Sequence, residues 1–437
     1  MLWMTAAMFV VLIIILFIGT PISLGLGFLG MAGIMVFLSP NLLSQLSLIT
    51  YTQATSITTL MIPLFILMAE LLANSDVAAD MFDTIARKLK RLPGNLAISS
   101  VVASAIFSAV CGSAPATAAT IGTISIPSMI NNGYDPKLAA GIQAAGGTLG
   151  ILIPPSITFI MFGIITETSI VELFMAGIIP GILLAILLIA YVLFVIKFFP
   201  NAIDVSRIVP SKVSESNERD LRRHDMASIL PIMALILVVL GLLYSGIVTA
   251  TESAAVGSIG ALVLVILRKR LTRTCISRTL LNTTKNSCMI LFMMFGGLVF
   301  AFFLSAYGLP QELAEVVIDI SPNRWVTFVA VMIVLLILGC FLEPVGILLI
   351  TMPFIFPTLT SMGFDPIWLG VTSTVACCIG MITPPVGMNL FVLKGAVPGL
   401  TLETVIKGAV PTVLVLALGL VILSVFPILS TWLPSTM

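Results

Sequence analysis

The chain has 437 residues, of which 59% are hydrophobic and only 9% are charged. Soluble domains carry about 25% charged residues, so this composition excludes a soluble globular protein. Apolar runs of about 20 residues recur along the sequence, and that length is enough to cross a lipid bilayer. The net charge is +1 and there is no basic tail, so nucleic acid is not an expected partner. The sequence predicts an all-α polytopic membrane protein in contact with membrane lipid.

The first half of the chain, residues 1–198, is predicted to contain six membrane segments. Its apolar N-terminus lacks a basic region and a small-residue cleavage site, so we interpret it as a retained helix rather than a signal peptide. In chain order we predict spans over 4–18, 20–38 and 55–75, a helical hairpin (hairpin 1) over 94–130, a broken helix over 136–166, and a closing span over 171–198.

A double proline, Pro154–Pro155, lies within the predicted broken helix. Proline removes a backbone donor and clashes with the preceding turn, so two in succession interrupt a helix. Inside a membrane such a break is tolerated only where protein or a water-filled cavity satisfies the freed backbone groups. The motif returns with an offset of 230 residues as Pro384–Pro385, and the GYDP turn before it returns as GFDP. Matched broken helices in two halves are typical of the binding site of a secondary transporter.

The second half, residues 227–437, repeats this plan after a polar cytoplasmic linker, 199–226. The same offset relates Pro127 to Pro357. Each half crosses the membrane an odd number of times, so the second half enters from the opposite side and the two halves are predicted to be inverted-topology repeats. The predicted segments are spans over 227–248, 250–267 and 286–306, a hairpin (hairpin 2) over 323–361, a broken helix over 366–394, and a closing span over 403–428.

The positions of the basic residues predict the orientation. Every Lys and Arg except Arg324 falls on one side when the N-terminus is placed outside. Cytoplasmic loops carry the Lys and Arg excess of membrane proteins, so we predict that the N- and C-termini are periplasmic. The tryptophans fall at the outer ends of segments, where an interfacial aromatic belt is expected: Trp3, Trp325, Trp368 and Trp432.

The charge pattern does not distinguish a re-entrant hairpin from two full crossings, because both return to the starting side. The segment 99–126 is rich in Gly, Ser, Thr and Ala and poor in Leu. Such residues suit a tip that packs closely within protein. We therefore predict that both hairpins are re-entrant.

Small and hydroxyl-bearing residues cluster at the hairpin turns, near Cys111–Thr120 and Gly339–Gly346, and at the two breaks. An unwound stretch frees carbonyl oxygens that bind a hard cation, and half-helix N-termini offer N–H groups to an anion. No Lys or Arg lies deep in a span, so an anionic substrate would depend on these groups and on co-bound cations. Close helix packing is the alternative reading for any single glycine.

Three carboxylates lie in or next to apolar segments. Glu70 is within the third predicted span, Glu252 opens the eighth, and Glu343 is in hairpin 2. Ionisable residues inside membranes are costly and usually functional. We interpret Glu252 as a capping or solvated residue at the outer interface, whereas Glu70 is either a packing residue or a proton-coupling group.

Seven motifs occur along the chain in this order: GSAPATAATIG, GYDP, GGTLGILIPPS, TATESAAVG, FLEPVG, GFDP and GMITPPVGMN. Together they resemble the motifs of the large membrane (permease) subunit of tripartite ATP-independent periplasmic (TRAP) transporters. The likeness covers about Ile22 to Pro411. It implies an elevator-type ion-transporter fold in the bacterial cytoplasmic (inner) membrane, with a small four-helix membrane subunit and a soluble periplasmic substrate-binding protein as partners. It also implies import of a small organic acid, such as a C4-dicarboxylate, sialic acid or a sugar acid, driven by Na⁺.

The resemblance further implies two Na⁺ sites, one at each hairpin tip, with the substrate between the tips. The position of Thr117 departs from the family pattern, in which many members carry Asp. The implied residues of the first Na⁺ site are Gly112, Ser113, Gly147, Thr148, Gly150 and Pro154; those of the second are Gly339, Glu343, Gly380, Thr383 and Pro385; and those that contact substrate are Ser113, Pro115, Thr117, Ser156, Glu343, Gly387 and Asn389.

Two other classes remain as alternatives. A self-sufficient carboxylate or H⁺-coupled antiporter of the same superfamily would share the fold and lack the partners. A membrane-embedded enzyme needs a nucleophile–base pair or metal ligands at depth, but the predicted spans contain no His and no Ser–Lys pair, so we do not expect an enzyme. The six cysteines lack metal-ligand spacing and no phosphate-binding loop is present, so we predict no organic cofactor.

Overall fold

The structure, a computed structural model, describes residues 10–436 except 13, 16–17, 76, 200–217, 310–311 and 313–322. The described part contains eighteen α-helices and no strand, which confirms the all-α prediction. The predicted span over 4–18 and the linker over 199–226 lie largely outside the described residues. The helices of the first half are α1 (Ile22–Phe37), α2 (Leu43–Thr55), α3 (Met61–Ala73), α4 (Val77–Lys88), α5 (Asn95–Cys111), α6 (Ala114–Asn131), α7 (Pro136–Thr148), α8 (Ile157–Thr166) and α9 (Ile170–Phe198).

The second half contains a matching series. Hairpin 1 corresponds to α5 and α6, and hairpin 2 to α13 and α14. Each predicted broken helix is two helices separated by a short irregular stretch, which we call break 1 (149–156, between α7 and α8) and break 2 (381–387, between α15 and α16). The helices of the second half are α10 (Glu218–Tyr244), α11 (Ala250–Leu267), α12 (Arg273–Ala306), α13 (Arg324–Gly339), α14 (Pro344–Ser361), α15 (Pro366–Gly380), α16 (Met388–Ala396), α17 (Leu402–Val425) and α18 (Ile428–Thr431).

Several predicted bounds were wrong because hydropathy locates the part of a helix in the bilayer rather than the helix itself. Helix α10 begins at Glu218, inside the predicted linker, and α12 begins at Arg273 rather than at 286. The first turns of α12 are polar, and the Thr272 side chain caps them by accepting a hydrogen bond from the Cys275 backbone N–H at 3.1 Å. A helix that extends beyond the membrane needs no apolar residues there.

The third predicted span, 55–75, is the second arm of a bent pair. The segment Pro40–Thr55 meets Ile57–Ala73 at an angle of 56°, so the polar helix α2 was missed. The amphipathic helix α4 was also missed, because its apolar face is too short for a span. It buries Met81 and Phe82 and ends in Arg87 and Lys88.

Five helices of the described residues are long and apolar enough to cross a membrane, namely α9, α11, α12, α14 and α17, and the bent pair could form a sixth span. Several spans confirm the prediction of a multi-pass membrane protein. Helix α14 belongs to hairpin 2, and its length permits a full crossing. The re-entrant form of the hairpins therefore stays a prediction.

The helices form two packed groups. One contains α1, α3, α11 and α12, and the other contains the hairpins, the broken helices, α9 and α17. Helices α1 and α12 approach closely at Gly30, where an added Cβ would lie 2.9 Å from the backbone of Val299 and Phe300. Small residues permit such an approach between membrane helices. The second group holds both breaks and is where the candidate site lies.

Contacts in one half recur in the other with partners exchanged. Helices α6 and α14 occupy positions 114–131 and 344–361, with the offset of 230. Helix α14 packs on α8, and α6 packs on α16; likewise α7 packs on α17, and α15 packs on α9. This exchange is what a pseudo-two-fold relation between the halves would produce. The opposite orientation of the halves in the membrane stays a prediction.

The expected interfacial belt was wrong for Trp368. Its side chain is 2% exposed, and its indole N–H donates to the Leu423 carbonyl at 2.8 Å. It stacks on Phe328 and Phe364, with ring centroids 4.7 and 5.4 Å away. Trp325 and Trp432 are exposed, and Trp3 lies outside the described residues. The sequence places Trp368 near the start of a helix, but the exposure of that start depends on the neighbouring helices. Here α13 and α17 cover it.

Candidate functional site

Break 1 provides hydrogen-bond partners for some of its own backbone groups. The Pro154–Pro155 peptide bond is cis, and Ser156 ends the irregular stretch as the N-cap of α8. Its hydroxyl donates to the Ile151 carbonyl at 2.5 Å and accepts from the Phe159 N–H at 3.3 Å. Two of the groups freed by the prolines therefore find partners inside the break, as buried backbone groups require.

The tip of hairpin 1 lies directly on break 1. Gly112 ends α5 with φ +62°, and its carbonyl accepts a hydrogen bond from the Ile157 N–H at 3.4 Å. A Cβ at Gly112 would lie 2.7 Å from the Pro155 carbonyl oxygen, and a Cβ at Gly150 would lie 2.6 Å from the Ser113 carbonyl oxygen. The glycines are required here because two backbones meet. This brings together the residues expected for the first cation site.

Hairpin 2 meets break 2 in a similar way. The Gly387 N–H donates to the Cys340 carbonyl at 2.8 Å, and Gly387 is the residue equivalent to Ile157 by the offset. Gly339 and Gly380 face each other where α13 crosses α15; a Cβ on Gly339 would lie 2.9 Å from the Gly380 Cα. These two glycines therefore allow two helix ends to pack closely, which is the alternative given above to a cation-binding role for any single glycine.

The helix ends beside the two breaks also touch each other. The Cys378 thiol donates to the Thr148 carbonyl at 3.4 Å, and these two positions are related by the 230-residue offset. The Asn389 side-chain N–H₂ donates to the Ala144 carbonyl at 3.3 Å. A small apolar cluster fills the junction: Ala114 of the hairpin 1 tip, Ile151, Cys378 and Met381, with Met388 against them. The hairpin 1 tip thus contacts both breaks.

Two buried oxygens at this junction have no hydrogen-bond partner. They are Thr117 Oγ1, on the first turn of α6, and Asn389 Oδ1, on the first turn of α16. Both residues are fully buried. An unsatisfied buried acceptor is costly, so each is a candidate ligand for a cation or for a donor group on a substrate.

The carboxylate of Glu343 stands at the tip of hairpin 2. Glu343 is the N-cap of α14 but its side chain forms no capping hydrogen bond, and it is partly buried. Neither hairpin tip and neither break contains a basic residue, because the chain has no Lys or Arg between Arg91 and Lys137, between Lys137 and Lys197, or between Arg324 and Lys394. The tips therefore carry one negative side chain and no positive one.

Other predicted site residues have hydroxyls that already donate locally. Thr148 Oγ1 donates to the Ala145 carbonyl at 2.7 Å, and Thr383 Oγ1 to the Ile379 carbonyl at 2.6 Å. A donating hydroxyl keeps its lone pairs, so both remain possible ligands. Ser156 is different, because its oxygen both donates and accepts within break 1 and is fully buried; the structure gives it a capping role. Among the remaining predicted residues, Pro115 lies at the hairpin 1 tip, and Pro154 and Pro385 lie in the breaks, the last of them exposed. Gly147 is in the last turn of α7, where an added Cβ would meet Ala118.

Sequence reasoning missed a buried polar network beneath the hairpin 1 tip. The Gln143 side-chain oxygen accepts from the hydroxyls of Ser100, Ser125 and Ser104, at 2.5, 3.2 and 3.4 Å. Its N–H₂ donates to the Ala118 carbonyl at 3.5 Å. All four side chains are fully buried. The signal in the sequence was a single Gln in the apolar middle of the helix before the break.

Glu252 lies away from the site and confirms the capping interpretation. Its carboxylate accepts from the Thr249 N–H at 2.8 Å, while the Thr249 hydroxyl accepts from the Glu252 N–H at 3.3 Å. This reciprocal pair is a capping box at the start of α11.

A cavity of about 300 Å³ lies between the two helix groups and away from the tips. It is lined by α12 residues including Gly297 and Ser305, by α14 residues including Met352 and Phe356, and by Thr166 at the end of α8. At its edge α12 and α14 are in close contact, since a Cβ on Gly297 would lie 2.9 Å from the Leu349 Cβ. The hairpin 2 tip packs closely on α1, where a Cβ on Gly346 would lie 2.9 Å from the Ile22 side chain.

The comparison with solved structures indicates the general class of protein. The fold is similar to the crystal structure of the YdaH transporter of Alcanivorax borkumensis, with a TM-score of 0.56 over 86% of this chain and 87% of that chain. The sequences are 17% identical, so this likeness concerns the fold alone. The described helices thus adopt a fold known from a membrane transporter.

The family follows from sequence. The model of the family described as "Tripartite ATP-independent periplasmic transporter, DctM component" matches residues 9–429, and the chain belongs to this family. It is 36% identical over 412 residues to the C4-dicarboxylate TRAP transporter large permease protein DctM of Pseudomonas aeruginosa, covering 93% of each chain. It is 30% identical over 423 residues to the sialic acid TRAP transporter large permease protein SiaM of Vibrio cholerae, covering 96% of each chain. The chain is therefore a large permease subunit of a TRAP transporter.

Proposed function

We propose that this subunit carries out Na⁺-coupled import of a small organic acid delivered by a periplasmic binding protein, by an elevator-like alternating-access movement. Relatives named for C4-dicarboxylate, sialic acid and 2,3-diketo-L-gulonate transport support an organic acid of this range. The proposed partners are the small four-helix membrane subunit and the soluble binding protein, which the tripartite organisation of the family supports.

The observation that carries the proposal is the convergence of two hairpin tips and two breaks without a single basic side chain. An organic acid bound there needs positive charge, and the chain itself supplies only N–H groups and helix N-termini. Na⁺ as a co-transported ion would supply it. The carbonyl oxygens of the breaks, the hydroxyls of Thr148 and Thr383, and the unpartnered oxygens of Thr117 and Asn389 fit the preference of a hard cation for oxygen ligands.

The proposed movement is supported by the way the two helix groups meet. The group with the tips and breaks is internally tied by the contacts between the breaks, whereas its boundary with α12 includes the cavity of about 300 Å³. The space at this boundary supports a movement of one group against the other as a unit. The sliding group would carry the site and its contents across the membrane.

The test is uptake into proteoliposomes. The ligand retained by the binding protein of the same system is identified by mass spectrometry and then offered with that protein, the small subunit and this chain. We expect uptake that requires both partners and an inward Na⁺ gradient, and that is not replaced by an inward proton gradient. Uptake by this chain alone, or uptake driven by protons without Na⁺, would favour the antiporter alternative instead.

A further inference from the structure

The cavity between the two helix groups is lined by residues whose backbone carbonyls have lost their helical partners. Helix α14 contains Pro353 and Pro357, and a proline has no N–H to donate to the carbonyl four residues earlier. Those carbonyls belong to Leu349 and Pro353, which both line the cavity. The hydroxyl of Thr351, in the same segment, donates to the Ile347 carbonyl instead, at 2.7 Å. Two acceptors therefore lack a helical donor, which is costly in a membrane unless another group supplies one.

The polar side chains that line the cavity are also mainly acceptors. The Thr166 hydroxyl donates to the Phe162 carbonyl at 2.7 Å, so only its lone pairs are available to a ligand. Glu167 adds a carboxylate at the exposed end of the cavity, and it forms no ion pair with another described residue. The Ser305 hydroxyl, which is also exposed, can donate or accept. None of the described residues that line the cavity is basic.

The rest of the lining is largely apolar and limits the size of a ligand. Leu298 and Ala301 contribute from α12, and Met352 and Phe356 from α14. A volume of about 300 Å³ is at the lower end of the range for small-molecule sites. An organic acid would meet a carboxylate and carbonyls without a cationic partner, so the cavity does not suit the substrate class of the proposed function. A short apolar chain that carries a positive charge and N–H donors suits every part of the lining.

We propose that this cavity binds a primary ammonium group on a short apolar chain, supplied by a soluble alkylamine or by the ethanolamine headgroup of a phospholipid. The ammonium lies among the Glu167 carboxylate, the Thr166 hydroxyl and the unpaired carbonyls of α14, and the chain lies against Leu298 and Met352. Hydrogen bonds from a charged donor to such oxygens are stronger than those between neutral groups. Because the lining comes from both helix groups, a bound ligand stabilises this arrangement of the groups over any in which they have moved.

Hexylammonium is the probe that tests this site. We measure the thermal unfolding midpoint of the purified protein in detergent, and the affinity by isothermal titration calorimetry. Hexylammonium should raise the midpoint in a saturable manner, whereas hexanoate, of opposite charge, and hexyltrimethylammonium, without N–H donors, should leave it unchanged. Ala301→Leu fills the cavity and should abolish the shift. Ala330→Leu, at an exposed position of α13, is the matched control and should retain it. Glu167→Gln removes the charge at the mouth and should weaken binding about fivefold or more.

Equal shifts in Ala301→Leu and Ala330→Leu would identify an adventitious additive only and would overturn the proposal, as would an equal effect of hexanoate. If Ala301→Leu does not fold, the exposed Glu167 carries the test, and an unchanged affinity in Glu167→Gln overturns it.

Lipid nanodiscs distinguish the two sources of the ammonium group. A midpoint that is higher in ethanolamine than in choline lipids, with no such difference in Ala301→Leu, supports a headgroup in the cavity. Equal midpoints in the two lipids, together with saturable binding of hexylammonium, support a soluble amine. Neither measurement involves transport, so a failure of Na⁺-driven uptake would leave both results unaffected.

Discussion

Thr383 is the polar side chain of break 2 whose oxygen is best placed to serve as a ligand without also capping a helix. Its side chain is partly buried, and its hydroxyl donates to one carbonyl while its lone pairs stay available. We expect Thr383→Ala to raise the Na⁺ concentration for half-maximal uptake about fivefold or more, equivalent to about 1 kcal/mol of lost ligand energy.

Thr383→Ser is the matched control, since it keeps the hydroxyl and should retain the Na⁺ dependence. Uptake is measured in proteoliposomes as a function of Na⁺, with expression and folding checked by gel filtration. An unchanged Na⁺ response in Thr383→Ala would remove this residue from the site.

Gly112 provides a steric test of the contact between tip and break. An alanine there would place its Cβ 2.7 Å from the Pro155 carbonyl oxygen, in a backbone conformation of φ +62°. We expect Gly112→Ala to separate the hairpin 1 tip from break 1 and to reduce uptake at least tenfold. Gly395→Ala is the control, because a Cβ at Gly395 meets nothing within 4 Å. Equal uptake by the two variants would show that the tip contact is dispensable.

At the scale of residues, the sequence predicted which residues lie at the site better than it predicted what each of them does there. The expected glycines and prolines do lie at the tips and breaks, because their backbone effects are local. In the structure Ser156 caps α8, and Gly339 and Gly380 lie where α13 crosses α15. The sequence did not show these roles because they depend on contacts made in the folded chain. The unpartnered oxygens of Thr117 and Asn389 could be recognised only after the surrounding groups were in place.

At the scale of elements, the two hairpins differ in how they are attached to their broken helices. The Gln143 network ties α5, α6 and α7 together, whereas the equivalent positions of hairpin 2 and α15 are Ala330, Val334, Ile355 and Ser373. Hairpin 1 is therefore fixed to its broken helix by buried hydrogen bonds. Hairpin 2 has apolar residues at three of these positions and lies beside the cavity. A hydrophobic contact is less directional than a hydrogen bond, so hairpin 2 is the more adjustable of the two tips.

This difference predicts a large effect for Gln143→Leu. The substitution leaves buried serine hydroxyls without their acceptor, at a cost of about 1–3 kcal/mol for each that finds no other. We expect the thermal unfolding midpoint in detergent to fall by several degrees. Thr123→Val is the control on the same hairpin, because the exposed Thr123 hydroxyl donates only to the nearby Thr120 carbonyl. A midpoint for Gln143→Leu as high as that of the control would mean that the network contributes little to stability.

At the scale of the whole molecule, the near-absence of basic residues on one side predicts the orientation. The C-terminus should be periplasmic and the loop after α11, with Lys269, cytoplasmic. Alkaline phosphatase fused to the C-terminus should be active and a green fluorescent protein fused there should be dark. A fluorescent protein inserted at Lys269 should be bright. The opposite pattern would invert the predicted topology.

The contact between Cys378 and Thr148 is also a property of the whole molecule. These residues are equivalent by the offset, and equivalent residues of two repeats touch only where the axis relating them passes. The junction of the breaks therefore lies near the centre of the proposed pseudo-two-fold arrangement, midway between the halves. The polar atoms around it are not equivalent, with Asn389 on one side and Thr117 on the other.

The sequence by itself determined the class of protein, located the hairpins and breaks, and predicted two matched halves. These depend on hydropathy, on proline and glycine chemistry, and on repetition, all of which are local or countable along the chain. Only the tertiary structure decided that Trp368 is covered, that Ser156 caps α8, that Gln143 binds hairpin 1 through buried hydrogen bonds, and that Glu70 accepts hydrogen bonds from Asn74, just after α3, and from two asparagines of α12. Each of these depends on atoms far apart in sequence, since burial and hydrogen-bond partners are set by how the helices pack.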